Sequence, residues 1–295
     1  MPHVVVAGSA NMDLVATAPA LPGPGETVLG HTFTMVPGGK GANQATAAAR
    51  AGASCAFLGA IGSDAFGVTL KARLAASGVD TTHLRVVYGT SGVALVVVDT
   101  EGENSIVVTP GANAAFTALT PDETAAIQAA DVLVCQLETP VETVTAAALA
   151  AKAAGVPVLL NAAPARPLPD ELLNAVDLLV VNEGEARAIT GRGRDAFDAL
   201  LSVVPRAVVT LGDAGAWYGE RGGIVTQVPA FRVETVDSTA AGDAFTGALA
   251  VAWGEGRDLV DAVRWACAAG AVCARRLGAS TSLPTRAEID ALYTP

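Results

Sequence analysis

The stretch TPDETAAIQAADVLVCQLETPVETVTAAALAAKAAGVPVLLN, residues 120–161, contains two helix starts and two short apolar runs. TPDE at 120–123 has the form of a capping box with proline at the first helical position, and TPVE at 139–142 repeats the arrangement. The apolar runs 132–135 and 156–160 flank the second helix and are typical of buried strands. Together these signals predict a β-α-β unit.

The same alternation continues toward the C-terminus. Strands are predicted near Leu178 to Val181 and Ala207 to Leu211, and they are followed by two long helices, Ala241 to Trp253 and Asp258 to Leu277. Alternation of this kind indicates a mostly parallel sheet with helices on both faces. We therefore expect a single α/β domain over residues 1–295, without internal repeats or an interdomain linker.

Two segments depart from this rhythm. Val93 to Val98 and Ser105 to Val108 flank a polar turn and predict a β-hairpin, while Leu14 to Val36 is extended and rich in glycine and proline. We expect the segments at about 14–36 and 93–108 to form a small β-subdomain beside the main sheet. Both begin where main-sheet strands should end, so this subdomain could act as a lid.

Composition excludes several classes of protein. Of the 295 residues, 51% are hydrophobic and 16% are charged, which excludes a disordered chain. The net charge of −11 disfavours nucleic acids and anionic membranes as partners. The four cysteines form no CxxC pair and are predicted to be reduced. No signal peptide and no apolar run of about 18 residues is found, so a cytoplasmic location is expected.

The strongest local signal is VDSTAAGDAF at residues 236–245, directly before an apolar helix. Small residues let a ligand approach the backbone, and the unpaired N–H groups of a helix N-terminus bind anions such as phosphate. An acid at that point, Asp243, could accept a hydroxyl proton beside a phosphoryl group. The alternative is an ordinary acidic residue in the first turn of a helix.

A second glycine-rich turn, VPGGKGANQA at residues 36–45, also opens a helix. It is not a Walker A loop, because Lys40 is followed by Gly41 rather than by serine or threonine, and a P-loop NTPase is excluded. Glycines that let the chain approach a polyol, with donor and acceptor atoms on Asn43, suit a sugar site. A plain turn before a helix would have the same letters.

Two further motifs follow predicted strands. Asn11 and Asp13 lie two residues apart, so they share one face of an extended segment and could bind vicinal hydroxyls; a solvated strand edge is the alternative. Asn182-Glu183-Gly184-Glu185 falls at the carboxyl edge of the sheet, the usual ligand position in such folds. It also fits a capping box.

Taken in order, these motifs resemble the ribokinase-like (phosphofructokinase-B) family of sugar kinases over nearly the whole chain. The segments that carry the resemblance are GSANMD (8–13), PGETV (24–28), VPGGKGANQA (36–45), GEN (102–104), PGANAA (110–115), QLETP (136–140), NAAPAR (161–166), NEGE (182–185) and DSTAAGDAF (237–245). The resemblance implies a ribokinase-like three-layer α/β/α sandwich with a mostly parallel central sheet and a small β-sheet lid. It further implies ATP-dependent phosphorylation of D-ribose at its 5-hydroxyl.

The resemblance also implies roles for individual residues. Asp243 matches the catalytic base of the family, and the anion hole for the γ-phosphate matches Ala240, Ala241 and Gly242. The sugar-binding positions match Asn11, Asp13, Gly39, Lys40, Asn43, Glu138 and Asp243. The nucleotide-binding positions match Asn182, Thr210, Gly212, Asp213, Gly215, Gly242 and Cys267. Glu185 matches the acid of the NxxE motif, which is associated with Mg²⁺ and phosphate.

A monovalent-cation site is implied as well. Similar proteins bind K⁺ beside the anion hole, mostly through backbone carbonyl groups. The matching positions are Asp237, Thr239, Cys273, Arg276, Gly278 and Ser282.

Other functions remain open at this point. A kinase of another sugar or nucleoside, such as a fructokinase or an adenosine kinase, would share the fold and the anion hole. A catalytically silent sugar-binding regulator is disfavoured by Asp243, and a Rossmann dehydrogenase by the lack of its glycine fingerprint after the first strand. The apolar alternation of the lid hairpin predicts a homodimer, because an edge of that kind usually needs covering.

Overall fold

The computed structural model describes residues 1–193 and 195–293. Within these residues the strands form a ten-stranded sheet and a separate four-stranded sheet. The strands are β1 (His3–Ala7), β2 (Asn11–Thr17), β3 (Thr32–Gly38), β4 (Ser54–Gly62), β5 (Val79–Asp80), β6 (Leu84–Val87), β7 (Gly92–Val98), β8 (Asn104–Thr109), β9 (Val132–Cys135), β10 (Val158–Asn161), β11 (Leu178–Asn182), β12 (Arg206–Thr210), β13 (Ala216–Glu220) and β14 (Thr226–Val228).

The described residues contain ten α-helices, of which the last three follow β14. They are α1 (Lys40–Arg50), α2 (Ala65–Ala76), α3 (Pro121–Gln128), α4 (Val141–Ala153), α5 (Asp170–Ala175), α6 (Glu183–Thr190), α7 (Ala196–Val203), α8 (Ala241–Gly254), α9 (Leu259–Ala274) and α10 (Arg286–Tyr293). The four strands predicted in this half of the chain are all present, with ends that differ by no more than two residues, and α9 is shorter than expected because it ends at Ala274.

The large sheet has the strand order β14-β13-β12-β11-β10-β9-β1-β4-β5, with β6 pairing with β4. Neighbours from β5 to β12 run parallel, whereas β13 and β14 add an antiparallel edge. The prediction of a mostly parallel sheet is therefore confirmed. All carboxyl ends of the parallel strands meet at one edge, where polar residues that follow the strands come together.

The sheet is buried on both faces. In β1, Val4 and Val6 belong to a core shared with α1, α8 and α9, whereas Val5 and Ala7 belong to a core shared with α3 to α7. Each of the three valines is 0% exposed. Successive residues of a strand point to opposite faces, so an unbroken apolar run is what a sheet between two helical layers requires.

The small sheet has the order β3-β2-β7-β8. It contains the predicted hairpin, since β7 and β8 pair antiparallel from Val93 opposite Thr109 to Val98 opposite Asn104. The connecting turn is closed by Asp99, whose Oδ1 accepts the N–H groups of Glu101 and Glu103, each at 2.9 Å.

The two predicted capping boxes have different outcomes. At α3 the box is formed: Thr120 Oγ1 accepts the Glu123 N–H at 3.2 Å, and Glu123 Oε2 accepts the Thr120 N–H at 2.8 Å. At α4 the prediction is wrong, because Pro140 occupies the N-cap in a non-helical conformation and no side chain caps the helix. Thr139, one residue earlier, is buried and its Oγ1 has no partner among the described residues.

Among the described residues, no helix is long and apolar enough to cross a membrane.

Candidate active site

The N-terminus of α8 is open toward the carboxyl edge of the sheet. Its N-cap residue, Ala240, has a φ of 61° and makes no side-chain cap. A left-handed alanine is uncommon, and here it turns the chain so that the helix begins at Ala241. The Ala241 N–H donates to the Ser238 carbonyl at 3.1 Å, but the Gly242 N–H in the first turn has no intrahelical partner and is available to an anion.

Asp243 lies in this first turn and is only 7% exposed. Its Oδ2 accepts a hydrogen bond from Asn43 Nδ2, and its Oδ1 accepts one from Gln44 Nε2, each at 3.0 Å. Burial raises the pKa of Asp243 above its ordinary value, although Lys40 and the two amide donors act in the opposite direction. A carboxylate whose pKa is raised in this way suits a base that works near neutral pH.

The turn before α1 brings the chain against β2. Gly39 has a φ of 90°, and a Cβ atom there would lie 2.6 Å from the backbone nitrogen of Asn11. Glycine is therefore required both by the backbone conformation and by the close approach. As a result, the start of α1 and the start of β2 lie side by side, which brings Asn43 and Asn11 into one cleft.

Glu138 joins three of the predicted segments. Its Oε2 accepts hydrogen bonds from Ser9 Oγ at 2.6 Å, from the Lys40 backbone N–H at 3.0 Å and from Asn11 Nδ2 at 3.4 Å. The Asn11 amide is oriented from behind by Asn113, whose Nδ2 donates to Asn11 Oδ1 at 2.7 Å. Asn11 consequently presents its NH₂ group to the cleft.

Asp13 stands on the same strand, two residues beyond Asn11. Burial, together with the neighbouring carboxylates of Glu138 and Asp243, raises the pKa of Asp13 to about 7. Burial by itself would lower the pKa of Lys40, but the carboxylates of Asp243, Glu138 and Glu185 outweigh that effect and raise it. These charged side chains therefore lie close enough to change one another's pKa.

Asn43 has an unused acceptor in this cleft. Its Nδ2 donates to Asp243, while its Oδ1 is buried and has no partner among the described residues. A buried amide oxygen without a donor costs about 1–3 kcal/mol, so the site is complete only when a ligand donates to it. A sugar hydroxyl is such a donor.

The nucleotide positions lie at the ends of two neighbouring strands. Asn182 of β11 is paired with Thr210 of β12 in the parallel ladder. The capping-box alternative is realised here, because Asn182 Oδ1 accepts the Glu185 N–H and Glu185 Oε2 accepts the Asn182 N–H, both at 2.8 Å. The box fixes Glu185 at the edge of the cleft, where its carboxylate helps to raise the pKa of Lys40.

The turn after β12 contains the remaining nucleotide positions. Gly212 and Asp213 lie in a short 3-10 helix, Gly212–Ala214, that is exposed to solvent. Gly215 has a φ of 97°, and a Cβ atom there would lie 2.1 Å from the Val228 carbonyl oxygen. Cys267 is 8% exposed on α9, and burial raises the pKa of its thiol to about 12.

The positions matched to the K⁺ site are also brought together. Asp237 Oδ1 accepts the Thr239 N–H and its Oδ2 accepts the Gly278 N–H, each at 2.9 Å. The Cys273 thiol lies 3.1 Å from Ser282 Oγ, and the Arg276 N–H donates to the Cys273 carbonyl at 3.1 Å. The oxygen atoms of this loop pair are the hard donors that such a cation prefers.

Sequence reasoning missed several polar residues that support the site. They are not among the predicted ligands, yet each one hydrogen-bonds to a predicted residue or to another member of the set. The signal was present, because all of them fall inside motif segments that carried the family resemblance. They are Ser9, Gln44, Asn113, Gln136 and Asn161.

Comparison with known proteins settles the family. The model of the pfkB family of carbohydrate kinases matches residues 1–286. The chain belongs to this family. It is 40% identical over 295 residues to the ribokinase of Haemophilus influenzae, covering 97% of this chain and 96% of the relative. It is also 40% identical to the ribokinase of Bacillus subtilis, with complete coverage of both chains.

The fold agrees with this assignment. The structure of Arabidopsis thaliana ribokinase complexed with ribose and ATP matches with a TM-score of 0.93 and 33% identity, covering 100% of this chain and 99% of that one. The predictions of a ribokinase-like α/β fold and of a sugar kinase are therefore confirmed. The roles of single residues in this carbohydrate kinase remain predictions.

Proposed function

We propose that this carbohydrate kinase transfers the γ-phosphoryl group of ATP to the 5-hydroxyl of D-ribose, giving ribose 5-phosphate and ADP. One observation carries the proposal: the buried carboxylate of Asp243 lies between the open N-terminus of α8 and a cleft lined with sugar-binding groups. The ribokinases compared above support ribose as the substrate.

The proposed chemistry follows from this arrangement. Asp243 accepts the proton of the 5-hydroxyl while the hydroxyl oxygen bonds to the γ-phosphorus and the bond to the β,γ-bridging oxygen breaks, so that ADP leaves. Phosphoryl transfer of this type depends on positioning and charge neutralisation more than on covalent chemistry. The backbone N–H of Gly242, in the open first turn of α8, is placed to hold the charge of the transferred group, while the Ala241 N–H donates to the Ser238 carbonyl at 3.1 Å.

The cleft supplies donors and acceptors for a polyhydroxyl ligand. Asn11 presents its NH₂ group, and Asn43 offers a free amide oxygen. Asp13 and Glu138 are acceptors for hydroxyl protons, and Gly38 leaves room for the Asp13 carboxylate, since a Cβ atom at residue 38 would lie 2.3 Å from Asp13 Oδ2. This set favours a small sugar with several hydroxyls over a nucleoside, whose base would require an apolar or aromatic pocket.

ATP is proposed to lie along the ends of β11 and β12, against Asn182, Thr210 and the turn 212–215. Mg²⁺ fits the Glu185 edge of the cleft, since carboxylate oxygen is the donor that this ion prefers. When bound, Mg²⁺ supplies neutralisation of phosphate charge. Lys40 adds a positive charge on the sugar side of the same cleft.

K⁺ is proposed to bind between the Asp237 loop and the segment 273–282. Asp237 makes hydrogen bonds to both loops, and those bonds lower its pKa although burial acts to raise it. A cation held by the carbonyl groups here would stiffen the chain just before Ala240. The N–H groups of the anion hole would then be fixed before ATP arrives.

The four-stranded sheet is proposed as a lid and as the interface of a homodimer. Met35, Leu14, Leu95 and Val107 occupy one row across its four strands. Met35, Leu95 and Val107 are 55%, 48% and 59% exposed. A contiguous row of exposed apolar side chains marks an interaction surface. Light scattering should find a dimer, and Val107→Glu should give monomers; a monomeric wild type at all concentrations would exclude the interface.

The deciding experiment is ATP-dependent phosphorylation of a panel containing ribose, deoxyribose, fructose, adenosine and pseudouridine, with and without K⁺. Preference for ribose with stimulation by K⁺ supports both the substrate and the cation site. Preference for another member retains the fold and the role of Asp243 but replaces the substrate. A lack of turnover with every member favours a silent sugar-binding protein.

A further inference from the structure

A chain of buried amides is hydrogen-bonded to Asp243 through Gln44. Gln44 Nε2 donates to Asp243 Oδ1 at 3.0 Å and to Asn161 Oδ1 at 2.9 Å. Gln136 Nε2 donates in turn to Gln44 Oε1 at 2.6 Å. Gln44 and Gln136 are 0% exposed and Asn161 is 8% exposed, so water does not compete for these bonds.

The orientation of the whole chain is fixed by one backbone group. Asn161 Nδ2 donates to the Val180 carbonyl at 3.1 Å, and a carbonyl oxygen can only accept. Asn161 must therefore turn its Oδ1 toward Gln44, which in turn must offer its NH₂ group to Asn161 and Asp243 together. The amide orientations follow from this network rather than from a choice between oxygen and nitrogen.

Gln136 fits beside Gln44 because the first strand is followed by a glycine, Gly8. A Cβ atom at Gly8 would lie 1.9 Å from Gln136 Oε1, so no larger residue leaves room for this amide. That Oε1 is buried and without a partner among the described residues, which is a cost about the size of a lost hydrogen bond. In this orientation Gln136 Nε2 donates to Gln44 Oε1, so the buried chain is maintained although Gln136 Oε1 has no donor.

The two carboxylate oxygens of Asp243 are thus held by different residues. Oδ1 is bound by Gln44, which belongs to the buried chain, and Oδ2 is bound by Asn43, which faces the cleft. We propose that Gln44, supported by Gln136 and Asn161, is a positioning residue that holds Oδ1 so that Oδ2 is the atom that receives the hydroxyl proton. The inference rests on the proposed function, because it takes Asp243 as the base.

The consequence for the reaction is geometric. The sugar hydroxyl loses its proton to Oδ2 as its oxygen bonds to the γ-phosphorus, and Gln44 neither gains nor loses a proton. Without the Gln44 donor the carboxylate can rotate, and a displacement of about 1 Å at such a position costs about 10²-fold in rate. The Gln44 side chain is hydrogen-bonded to Asp243, Asn161 and Gln136 and not to the residues predicted to bind the other sugar hydroxyls, so the loss should appear in kcat.

The charge of Asp243 depends on the same contact. Lys40 on α1 favours the carboxylate, Glu138 after β9 and Asp13 on β2 disfavour it, and the charge of Asp243 helps to raise the pKa of the Cys273 thiol on α9. Gln44 and Asn43 add donors that stabilise the charged form. Loss of the Gln44 donor should therefore move the acidic limb of the pH–rate profile upward.

The test uses the full-length chain with three variants. Gln44→Met removes every hydrogen bond at nearly constant volume, and Gln44→Glu retains an acceptor for Gln136 but puts a second carboxyl group beside Asp243. Thr143→Val is the matched control, because it removes another buried hydrogen bond, from Thr143 Oγ1 to the Phe116 carbonyl at 2.6 Å. Steady-state kinetics with ribose and ATP are measured from pH 5.5 to 9, together with thermal melting.

For Gln44→Met we expect kcat to fall about 10- to 100-fold with the ribose KM within about threefold of wild type. For Gln44→Glu we expect the acidic limb to rise by about one pH unit or more, with activity partly recovered at high pH, since two adjacent carboxylates cannot both ionise readily. Thr143→Val should retain wild-type kcat. A Gln44→Met variant with kcat within twofold of wild type, or an unmoved acidic limb in Gln44→Glu, would overturn the inference.

A second measurement separates this inference from the substrate assignment. The pKa of Asp243 is read by NMR titration of chains labelled with ¹³C at the aspartate carboxyl groups, with Asp243→Asn identifying the resonance. A higher pKa in Gln44→Met than in wild type supports the positioning contact even if the wild type phosphorylates no sugar of the panel. An unchanged pKa rejects the contact whatever the substrate proves to be.

Discussion

The two halves of the cleft are built differently. On the sugar side, Asn11, Asn43 and Asp243 are each less than 10% exposed. Asn43 is hydrogen-bonded to Asp243, and Asn11 is hydrogen-bonded to Glu138 and Asn113. On the nucleotide side, Asn182, Gly212 and Asp213 are exposed, and the turn after β12 is defined by its backbone. The sugar half is therefore set by side chains that are already in place, whereas the nucleotide half presents a backbone surface.

This contrast implies that substitutions on the two sides should fail in different ways. A change on the sugar side breaks a bonded network and leaves buried polar atoms unpaired, which costs both binding and rate. A change on the nucleotide side alters a surface and should mainly affect affinity for ATP. The following tests are arranged from the largest expected effect to the smallest.

Asp243→Asn should have the largest effect. It removes the proton acceptor but retains the shape of the side chain, so kcat should fall about 10³-fold while ribose affinity stays near normal. The measurements are single-turnover kinetics and calorimetric titration with ribose. Turnover within tenfold of wild type would contradict the role of Asp243 as the base.

Glu138→Ala should come next. It removes the acceptor shared by Ser9, Lys40 and Asn11, so three donors lose their partner at once. We expect kcat/KM for ribose to fall about 10²-fold, which corresponds to the loss of one charged buried interaction, while the KM for ATP remains within about threefold. An equal loss for both substrates would show that the two halves are not separate.

Gly215→Ala addresses the nucleotide half. An alanine at a φ of 97°, with a Cβ 2.1 Å from the Val228 carbonyl, must displace the turn after β12. The KM for ATP should rise about tenfold while ribose affinity measured by calorimetry is unchanged. Gly193→Ala is the matched control, because Gly193 has open space around its Cβ position and no predicted role in the site.

The last test concerns pH at the sugar side, where the expected effect is about as large as that of Gly215→Ala. The pKa of Asp13 is raised to about 7, so its carboxylate forms only above that value and is lost as the pH falls. If the carboxylate accepts sugar hydroxyls, ribose affinity at pH 6 should be about tenfold weaker than at pH 8, and Asp13→Asn should abolish this dependence. A flat profile in the wild type would exclude titration of Asp13 in this range.

The sequence predicted the architecture well, because its signals were local. The capping box at Thr120 and the apolar runs on either side of α4 give the β-α-β unit without knowledge of distant contacts. The capping box predicted at Thr139 is not formed, because the N-cap of α4 is Pro140, one residue later. The letters TPVE alone do not show which of these two residues is the N-cap.

The sequence predicted only those site residues that contact the substrates directly. Asn43 and Asp243 were identified by motifs, but the bonds that orient them cross the fold. Gln44, Gln136 and Asn161 meet because α1 and the ends of β9 and β10 converge at one edge of the sheet. No spacing along the chain encodes that meeting, so these amides were visible as letters within motifs and not as a network.

The hydrogen bond from Asn43 to Asp243 joins residues 200 apart in the sequence. Contacts this distant form late, since chain closure must precede them, and during synthesis they must wait until α8 has left the ribosome. Nascent chains that lack α8 should be unable to retain the sugar. Stabilisation by ribose would then act on the finished chain alone, so a cell rich in the substrate would protect completed molecules and leave fragments to proteolysis.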